Sequence, residues 1–307
     1  MSNKITVIYH SADFDGLFCR EIAKRFLPGA ELIGWDYGDP KIPFPSEGAV
    51  YILDLSPDSL GGDTYDSSRI IWIDHHKTAI EKYPATIPGY RIDGVSACRL
   101  AWQWFSLPHF ERDEVLPMPL KQDFIDRTVS EPYAVRLAGE YDIWDKRDPN
   151  ADVLQMGLRS RELSEHDWKM LLSDQVDPAI KDTGMDSTDS ELICSNLLQA
   201  GFMIQAYQNG IDEGSMKHSF IVEFDGLKFL ALNTPQKGSF VFASKDVPET
   251  GHDALLKLNW TGTVWDCSMY HAKGRSELDL SIIAQKYGGG GHKGACGFRA
   301  RKLPFLP

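Results

Sequence analysis

Three short segments of this chain concentrate side chains that could hold a cation. His10-Ser11-Ala12-Asp13-Phe14-Asp15-Gly16 offers an imidazole and two carboxylates, YILDLSPD offers Asp54, and IIWIDHHKT offers Asp74, His75 and His76. Each alone has an ordinary explanation, since an Asp after an apolar run commonly caps a helix or closes a turn. Together they hold three of the nine histidines. Crowded carboxylates repel one another, and cations are the usual remedy. Mixed Asp and His donors suit Mn²⁺ ahead of Mg²⁺, Fe²⁺, Co²⁺ or Zn²⁺.

The elements that must position these residues are readable around them. Ile5–Tyr9, Val50–Leu53 and Ile70–Ile73 are apolar runs without polar alternation, as expected of strands buried on both faces. Leu17, Phe18, Ile22, Ala23, Phe26 and Leu27 form a helical pattern between the first two. A parallel sheet with helical crossovers follows, and ligands bind such sheets at the carboxyl ends of their strands. All three cation-binding segments would then meet in one crevice.

Beyond this sheet, residues 94–144 are mostly helical in pattern, including a face of Leu100, Ala101, Trp104 and Phe105. More helix is expected over residues 165–217. Within that span Asp177–Ser190 is polar and turn-rich, and Glu191–Tyr207 is a helix candidate. Phe220–Phe224, Asp225-Gly226 and Leu227–Leu232 read as a hairpin with a two-residue turn. Strands are expected at Ser239–Ala243 and Thr263–Tyr270, and a helix over Leu280–Tyr287 that meets four glycines. Trp35, Trp102, Trp104, Trp144, Trp265 and Met203 read as core residues. The fold expected is α/β: an N-terminal parallel-sheet domain (1–165), a helical linker (166–217) and a smaller C-terminal α/β domain (218–307), with the site in the cleft between the domains.

Composition narrows the function classes. The 307 residues are 42% apolar and 25% charged, as in an ordinary globular protein. No apolar run is long enough to span a membrane, and MSNKITVIYH leads directly into a strand without a secretion signal. The reading is cytoplasmic. A net charge of −12 disfavours gripping a long duplex through its phosphates. The charge is uneven, acidic over residues 1–160 and basic over 268–302. Five scattered cysteines without a CxxC pair indicate reduced thiols rather than disulfides or a cysteine zinc site.

The HxxDxD loop, the Asp at the second strand end and the Asp-His-His triplet resemble the first three motifs of the DHH phosphoesterase superfamily. Gly289-Gly290-Gly291-His292-Lys293-Gly294-Ala295-Cys296-Gly297 is similar to the GGGH signature of the DHH-associated domain. The wording WIDHHKT is closest to the compact, NrnB-like oligoribonuclease branch. The resemblance implies roles by position. His10, Asp13 and Asp54 would hold one divalent cation. Asp15, Asp54, His75 and a fourth-motif Asp would hold a second, with Asp142 in GEYDIWD the best match and Asp145 the alternative. Asp74 would orient a histidine, and His76 would face the substrate phosphate. Gly289, Gly290 and Gly291 would let backbone N–H groups approach a phosphate, with His292, Lys293 and Arg275 as charged donors. Phe14, the extra Gly288 and Cys296 depart from the pattern and bear on substrate fit.

The activity so implied is a Mn²⁺-dependent, two-metal phosphodiesterase that hydrolyses short oligonucleotides to nucleoside 5′-monophosphates. Two cations about 3.5–4 Å apart would clamp the phosphoryl group and lower the pKa of water. The same core would serve a cyclic-dinucleotide or 3′,5′-bisphosphonucleotide phosphohydrolase, which is the alternative. A RecJ-like single-strand exonuclease and a non-catalytic nucleotide-binding protein rank below it. The partners expected are short RNA or DNA oligonucleotides or small nucleotides, with no membrane and no long duplex. A homodimer is compatible with the sequence.

Overall fold

The uninterrupted apolar runs become strands because both of their faces are covered. The computed structural model describes residues 4–61, 66–106, 119–145, 147–173, 189–236, 240–243 and 250–305. β1 (Ile5–His10) leads into α1 (Phe14–Phe26), then β2 (Glu31–Trp35), β3 (Ile42–Pro43), β4 (Ala49–Leu53), β5 (Leu60–Gly61) and β6 (Ile70–Ile73). Four of these strands form a parallel sheet in the order β2-β1-β4-β6, and β3 pairs with β5. Val7, Leu53 and Ile73 join one core with Phe18, Ile22 and Leu100. Ile8, Ile52 and Trp72, pointing the other way, join a second with Leu55 and Ile87. Each such side chain contributes about 1.5–3 kcal/mol by leaving water.

β2 is a strand that pattern reading passes over, because Glu31 and Gly34 interrupt its apolar character. It is fixed by pairing with β1, which aligns His10 with Trp35. The helical region comprises α2 (Lys77–Lys82), α3 (Ala97–Ser106), α4 (Lys121–Ile125), α5 (Tyr133–Asp142), α6 (Asn150–Leu158), α7 (Glu165–Leu171) and α8 (Asp189–Met216). α7 starts at a reciprocal cap: the Ser164 hydroxyl accepts the Asp167 N–H at 3.2 Å, and the Ser164 N–H donates to Asp167 Oδ2 at 2.8 Å. The chain divides into two compact units, Met1–Ile204 and Gln205–Pro307, so the boundary falls within α8. Through residue 188, the polar stretch placed in the linker lies outside the described residues.

In the second unit, β7 (Phe220–Phe224) and β8 (Leu227–Asn233) form the expected hairpin. Asp225 and Gly226 both have left-handed backbone (φ 50 and 76), as a two-residue turn of this hand requires. β9 (Ala254–Trp260), β10 (Trp265–His271), α9 (Ser281–Lys286), β11 (Gly290–His292) and β12 (Ala295–Ala300) complete a sheet ordered β11-β12-β10-β9-β8-β7. One face packs Leu256, Leu258, Met269 and Phe298 beneath Ile283 and Ala284 of α9.

Three expectations are corrected. The strand expected at Ser239–Ala243 is a 3₁₀ turn over Phe240–Ala243. β8 and β9 pair in parallel, which requires a crossover between them, and Val241 and Phe242 of that crossover pack on Leu230 and Leu255. Trp144 is not core. It follows the end of α5 with φ 60 and is 61% exposed, carried outward by the left-handed turn. Met203 is exposed too, beside Phe202 and Tyr207 on α8.

Candidate metal centre

Strand adjacency assembles the first unit's site. β1, β4 and β6 lie side by side in parallel, so the residues after each strand emerge at one edge. His10 ends β1; Asp13 caps α1, its carboxylate accepting the Gly16 N–H at 3.1 Å; Asp15 lies in the first turn. Asp54 follows β4 in a left-handed conformation (φ 58), its N–H donating to the Ile73 carbonyl at 2.9 Å. That conformation costs about 1–2 kcal/mol for a residue with a Cβ, less for Asp than for most. It turns the carboxylate inward: Oδ2 lies 3.5 Å from His10 Nδ1 and Oδ1 lies 3.4 Å from His75 Nε2. His75 Nε2 is also 3.2 Å from Asp142 Oδ2 and 3.6 Å from Asp15 Oδ2, and His10 Nδ1 is 3.2 Å from Asp13 Oδ2.

Three overlapping sets of donor atoms result, each within a 4.8 Å span: His10, Asp13 and Asp54; Asp15, His75 and Asp142; Asp54, His75 and His76. Asp142 at the end of α5 is thus brought to the cluster. Asp145 is not among them; its carboxylate is held by Arg147. Asp15 is fixed from a direction the sequence did not reveal. Its two oxygens accept the Ala97 and Cys98 N–H groups at 2.9 and 2.8 Å, the first amides of α3.

The electrostatics point to missing positive charge. Burial pushes the Asp15 carboxyl well up, reinforced by Asp54 and Asp142. Burial raises Asp142 to about 7, with Asp54 adding to the effect against His75. Asp54 is also penalised by burial, yet the neighbouring imidazoles of His10 and His75 hold it down at about 2. The imidazoles respond in the opposite sense. Burial disfavours their charge, but Asp13 and Asp54 lift His10 to about 11, and Asp54, Asp15 and Asp142 lift His75 to about 10. One N–H at His75 faces three carboxylates, and Asp54 Oδ1 and Asp142 Oδ2 are buried without a hydrogen-bond partner. Buried anionic oxygens in that condition call for a cation. Oxygen and imidazole donors, with no thiolate among them, fit Mn²⁺ or Mg²⁺-type ions.

A cation at this centre must displace the protons that His10 and His75 carry. Affinity is therefore expected to rise with pH from 6 to 8, about tenfold per unit for each proton displaced. Titration calorimetry in buffers of different ionisation enthalpy should count two or more protons released, since Asp15 and Asp142 are raised as well. A pH-independent affinity with no release would contradict this.

Asp74 orients His76, the remaining member of the third donor set. Asp74 is fully buried, and its Oδ1 accepts the N–H groups of His75 and His76 at 2.7 and 3.2 Å and lies 2.7 Å from His76 Nδ1. That hydrogen bond outweighs burial and raises the His76 pKa. Sequence reading missed Asp36, which follows β2. Its Oδ1 lies 3.3 Å from His10 Nε2, on the opposite side of the ring from Asp13 and Asp54. The only signal was an acidic turn, WDYGD, after a segment not recognised as a strand. A carboxylate there holds a proton on Nε2, so the proton that a cation would displace is the one on Nδ1. Asp36→Ala should weaken Mn²⁺ binding about 10–100-fold with little change in melting temperature. Unchanged affinity would reduce Asp36 to a turn residue.

In the second unit, the glycine segment begins as the end of α9, where the Gly289 N–H donates to the Ala284 carbonyl at 2.8 Å. It continues as β11, whose Gly290 and His292 pair with Gly297 and Ala295. A Cβ on Gly289 would lie 2.0 Å from the Gly297 carbonyl oxygen, so only glycine fits this approach. His292 and Lys293 are exposed. Arg275 is already engaged, with Asp253 at 2.8 Å and Glu277 at 2.7 Å.

No family model matches the sequence, and no curated protein sequence matches it. Similarity to solved structures is clear at the level of fold. The DHH domain of a protein assigned to a family of ribosomal proteins superposes with a TM-score of 0.52, covering 97% of this chain and 82% of that one at 15% identity. RecJ with Mg²⁺ from Thermus thermophilus gives 0.49 over 99% of this chain and 48% of its own, at 16% identity. A pGpG-specific phosphodiesterase from Vibrio cholerae gives 0.47 over 97% and 93%, at 14% identity. The fold is that of a DHH domain: a parallel-stranded α/β unit, helices, and a second sheet-based unit. No described helix is long and apolar enough to cross a membrane.

Proposed function

We propose that this chain is a divalent-metal-dependent phosphodiesterase that hydrolyses short oligonucleotides to nucleoside 5′-monophosphates, with Mn²⁺ as the preferred ion. The observation that carries the reading is the convergence of His10, Asp13, Asp15, Asp54, His75 and Asp142 into overlapping donor sets with unpartnered buried oxygens. His10, Asp13 and Asp54 would hold one cation, and Asp15, Asp54, His75 and Asp142 a second. Asp54 is disposed to serve both, since its two oxygens face the two histidines separately. Divalent cations at such a site, when bound, neutralise phosphoryl charge and make water nucleophilic near neutral pH.

The remaining roles belong to the chain's own groups. Asp74 holds His76 through Nδ1, which leaves Nε2 to donate to a non-bridging phosphate oxygen or to the departing oxygen. The raised pKa keeps that proton in place at higher pH. Gly289, Gly290, Gly291, His292 and Lys293 would bind the rest of the substrate, with the two exposed side chains as donors and Gly289, whose own N–H is bonded to Ala284, allowing the close approach. Arg275 would first have to exchange its two carboxylate partners for phosphate. A net charge of −12 favours short substrates over long phosphate tracks.

The test is Mn²⁺-dependent cleavage of 5′-labelled RNA from dinucleotide to about 20-mer, with a cyclic dinucleotide and a 3′,5′-bisphosphonucleotide alongside. Fastest turnover on two- to five-residue RNA is expected. Turnover of only the cyclic or bisphosphate compound would keep the metal site and replace the substrate. Metal binding without turnover of any of them would reject an enzyme of this class.

A further inference from the structure

The second unit's sheet has one face beneath α9 and another that is only partly covered. On the latter, apolar packing by Leu230, Leu255 and Phe242 gives way to polar residues on adjacent strands. Lys257 of β9 stands opposite Ser268 of β10, and Ser268 opposite Gly297 of β12. The next row on that face is Asn259, Asp266 and Arg299. These residues line a pocket of about 400 Å³.

Lys257 is the unusual member. It is only 8% exposed, and its Nζ donates to the Gln236 carbonyl at 2.7 Å. Among the described residues no carboxylate lies within ion-pair distance of it; Asp266, the acid nearest in the sheet register, is bonded by Arg299 Nε at 2.9 Å. A lysine with so much of its side chain buried pays to keep its charge unless an anion accompanies it, and a neutral carbonyl satisfies one of its three N–H groups. Burial accordingly lowers its pKa, opposed by Asp266. Beyond the Asp266–Arg299 pair, the pocket therefore holds one ammonium group with no carboxylate at ion-pair distance, a carboxamide at Asn259 and the Ser268 hydroxyl, which also reaches Tyr270.

We propose that this pocket binds the phosphate group of a small phosphate monoester, with Lys257 as the anchoring cation and Ser268 and Asn259 as neutral donors. Several donors around one charge match the three terminal oxygens of a phosphate better than the two of a carboxylate. The volume exceeds that of a bare phosphate ion and admits a sugar phosphate or nucleoside monophosphate. The site lies wholly in the second unit and uses none of the residues assigned to hydrolysis, so it stands or falls apart from that activity.

The experiment uses the full chain carrying Asp54→Asn, in chelator, so that neither metal nor turnover contributes. Adenosine 5′-monophosphate, ribose 5-phosphate, inorganic phosphate and adenosine are titrated calorimetrically. Both esters are expected to bind, adenosine is not, and inorganic phosphate should bind more weakly than the esters. Lys257→Met should weaken the esters about tenfold or more, as loss of a charged hydrogen bond does. Asn259→Asp, which places a second carboxylate in the pocket without changing its shape, should do the same and serves if Lys257→Met fails to fold. Absence of ester binding, equal binding of adenosine, or ester affinity unchanged in both variants would overturn the proposal. Hydrolysis by the chain with Asp54 restored is measured separately, so loss of one property is not mistaken for loss of the other.

Discussion

Asp54→Asn is expected to lower metal-dependent hydrolysis about a thousandfold or more, while leaving the fold in place. Backbone and charge come apart in this substitution. Asp54 sits at φ 58, a conformation that asparagine adopts as readily as aspartate, so the strand end and its 2.9 Å bond to Ile73 should persist. What disappears is the negative charge shared by His10 and His75, whose pKa values should then fall back from about 11 and about 10 toward that of free imidazole. Cation affinity should drop with the activity. Asp54→Ala should lose the same activity and a further increment of stability, because alanine is strained at this φ. Calorimetric Mn²⁺ titration, melting temperature and single-turnover cleavage read the three effects apart. An Asp54→Asn protein retaining a tenth of its activity would remove Asp54 from the centre of the mechanism.

The second large effect is steric. A Cβ on Gly16 would lie 1.9 Å from the His10 carbonyl oxygen and 2.8 Å from His10 Cβ. Neither group can yield, since both belong to the end of β1, the interior strand between β2 and β4. Gly16→Ala must therefore push α1 away from the sheet. The core that α1 shares with it, through Phe18, Ile22 and Ala23, would open with it. The loss should be about 3 kcal/mol, the upper range for overpacking. Because Asp13 and Asp15 ride on α1 and His10 on β1, cation affinity should fall in parallel. Urea denaturation with and without Mn²⁺ tests both; a loss within about 1 kcal/mol would mean that the contact relaxes cheaply.

The sequence disclosed those parts of the site that follow directly from a strand. Ile5–Tyr9, Val50–Leu53 and Ile70–Ile73 announce themselves because two-sided burial removes all polar alternation, and His10, Asp54 and Asp74–His76 stand at their ends. Asp36 was hidden because β2 is an edge strand whose Glu31 and Gly34 blur its pattern, and an edge strand needs only one good neighbour. The α3 amides at Asp15 were hidden because that contact joins residues more than 80 positions apart. Trp144 was misjudged because apolarity was read without its backbone; the left-handed turn after α5 faces it outward. The segment 239–243 looked like a strand by composition, yet strand pairing is decided by neighbours, and β8 already had β9.

The parallel order β2-β1-β4-β6 also bears on how the protein comes apart. No two adjacent strands of this sheet are joined by a tight turn, so every pairing closes a long loop and the sheet forms slowly for its size. The donor sets draw on the start of α1 and the ends of β1, β4, β6 and α5, from His10 to Asp142, and exist only once all five have docked. A cation held there would stabilise the finished structure more than the path toward it. Its effect would fall on the rate of unfolding, and a chelated chain of this fold would be lost by opening sooner rather than by folding later.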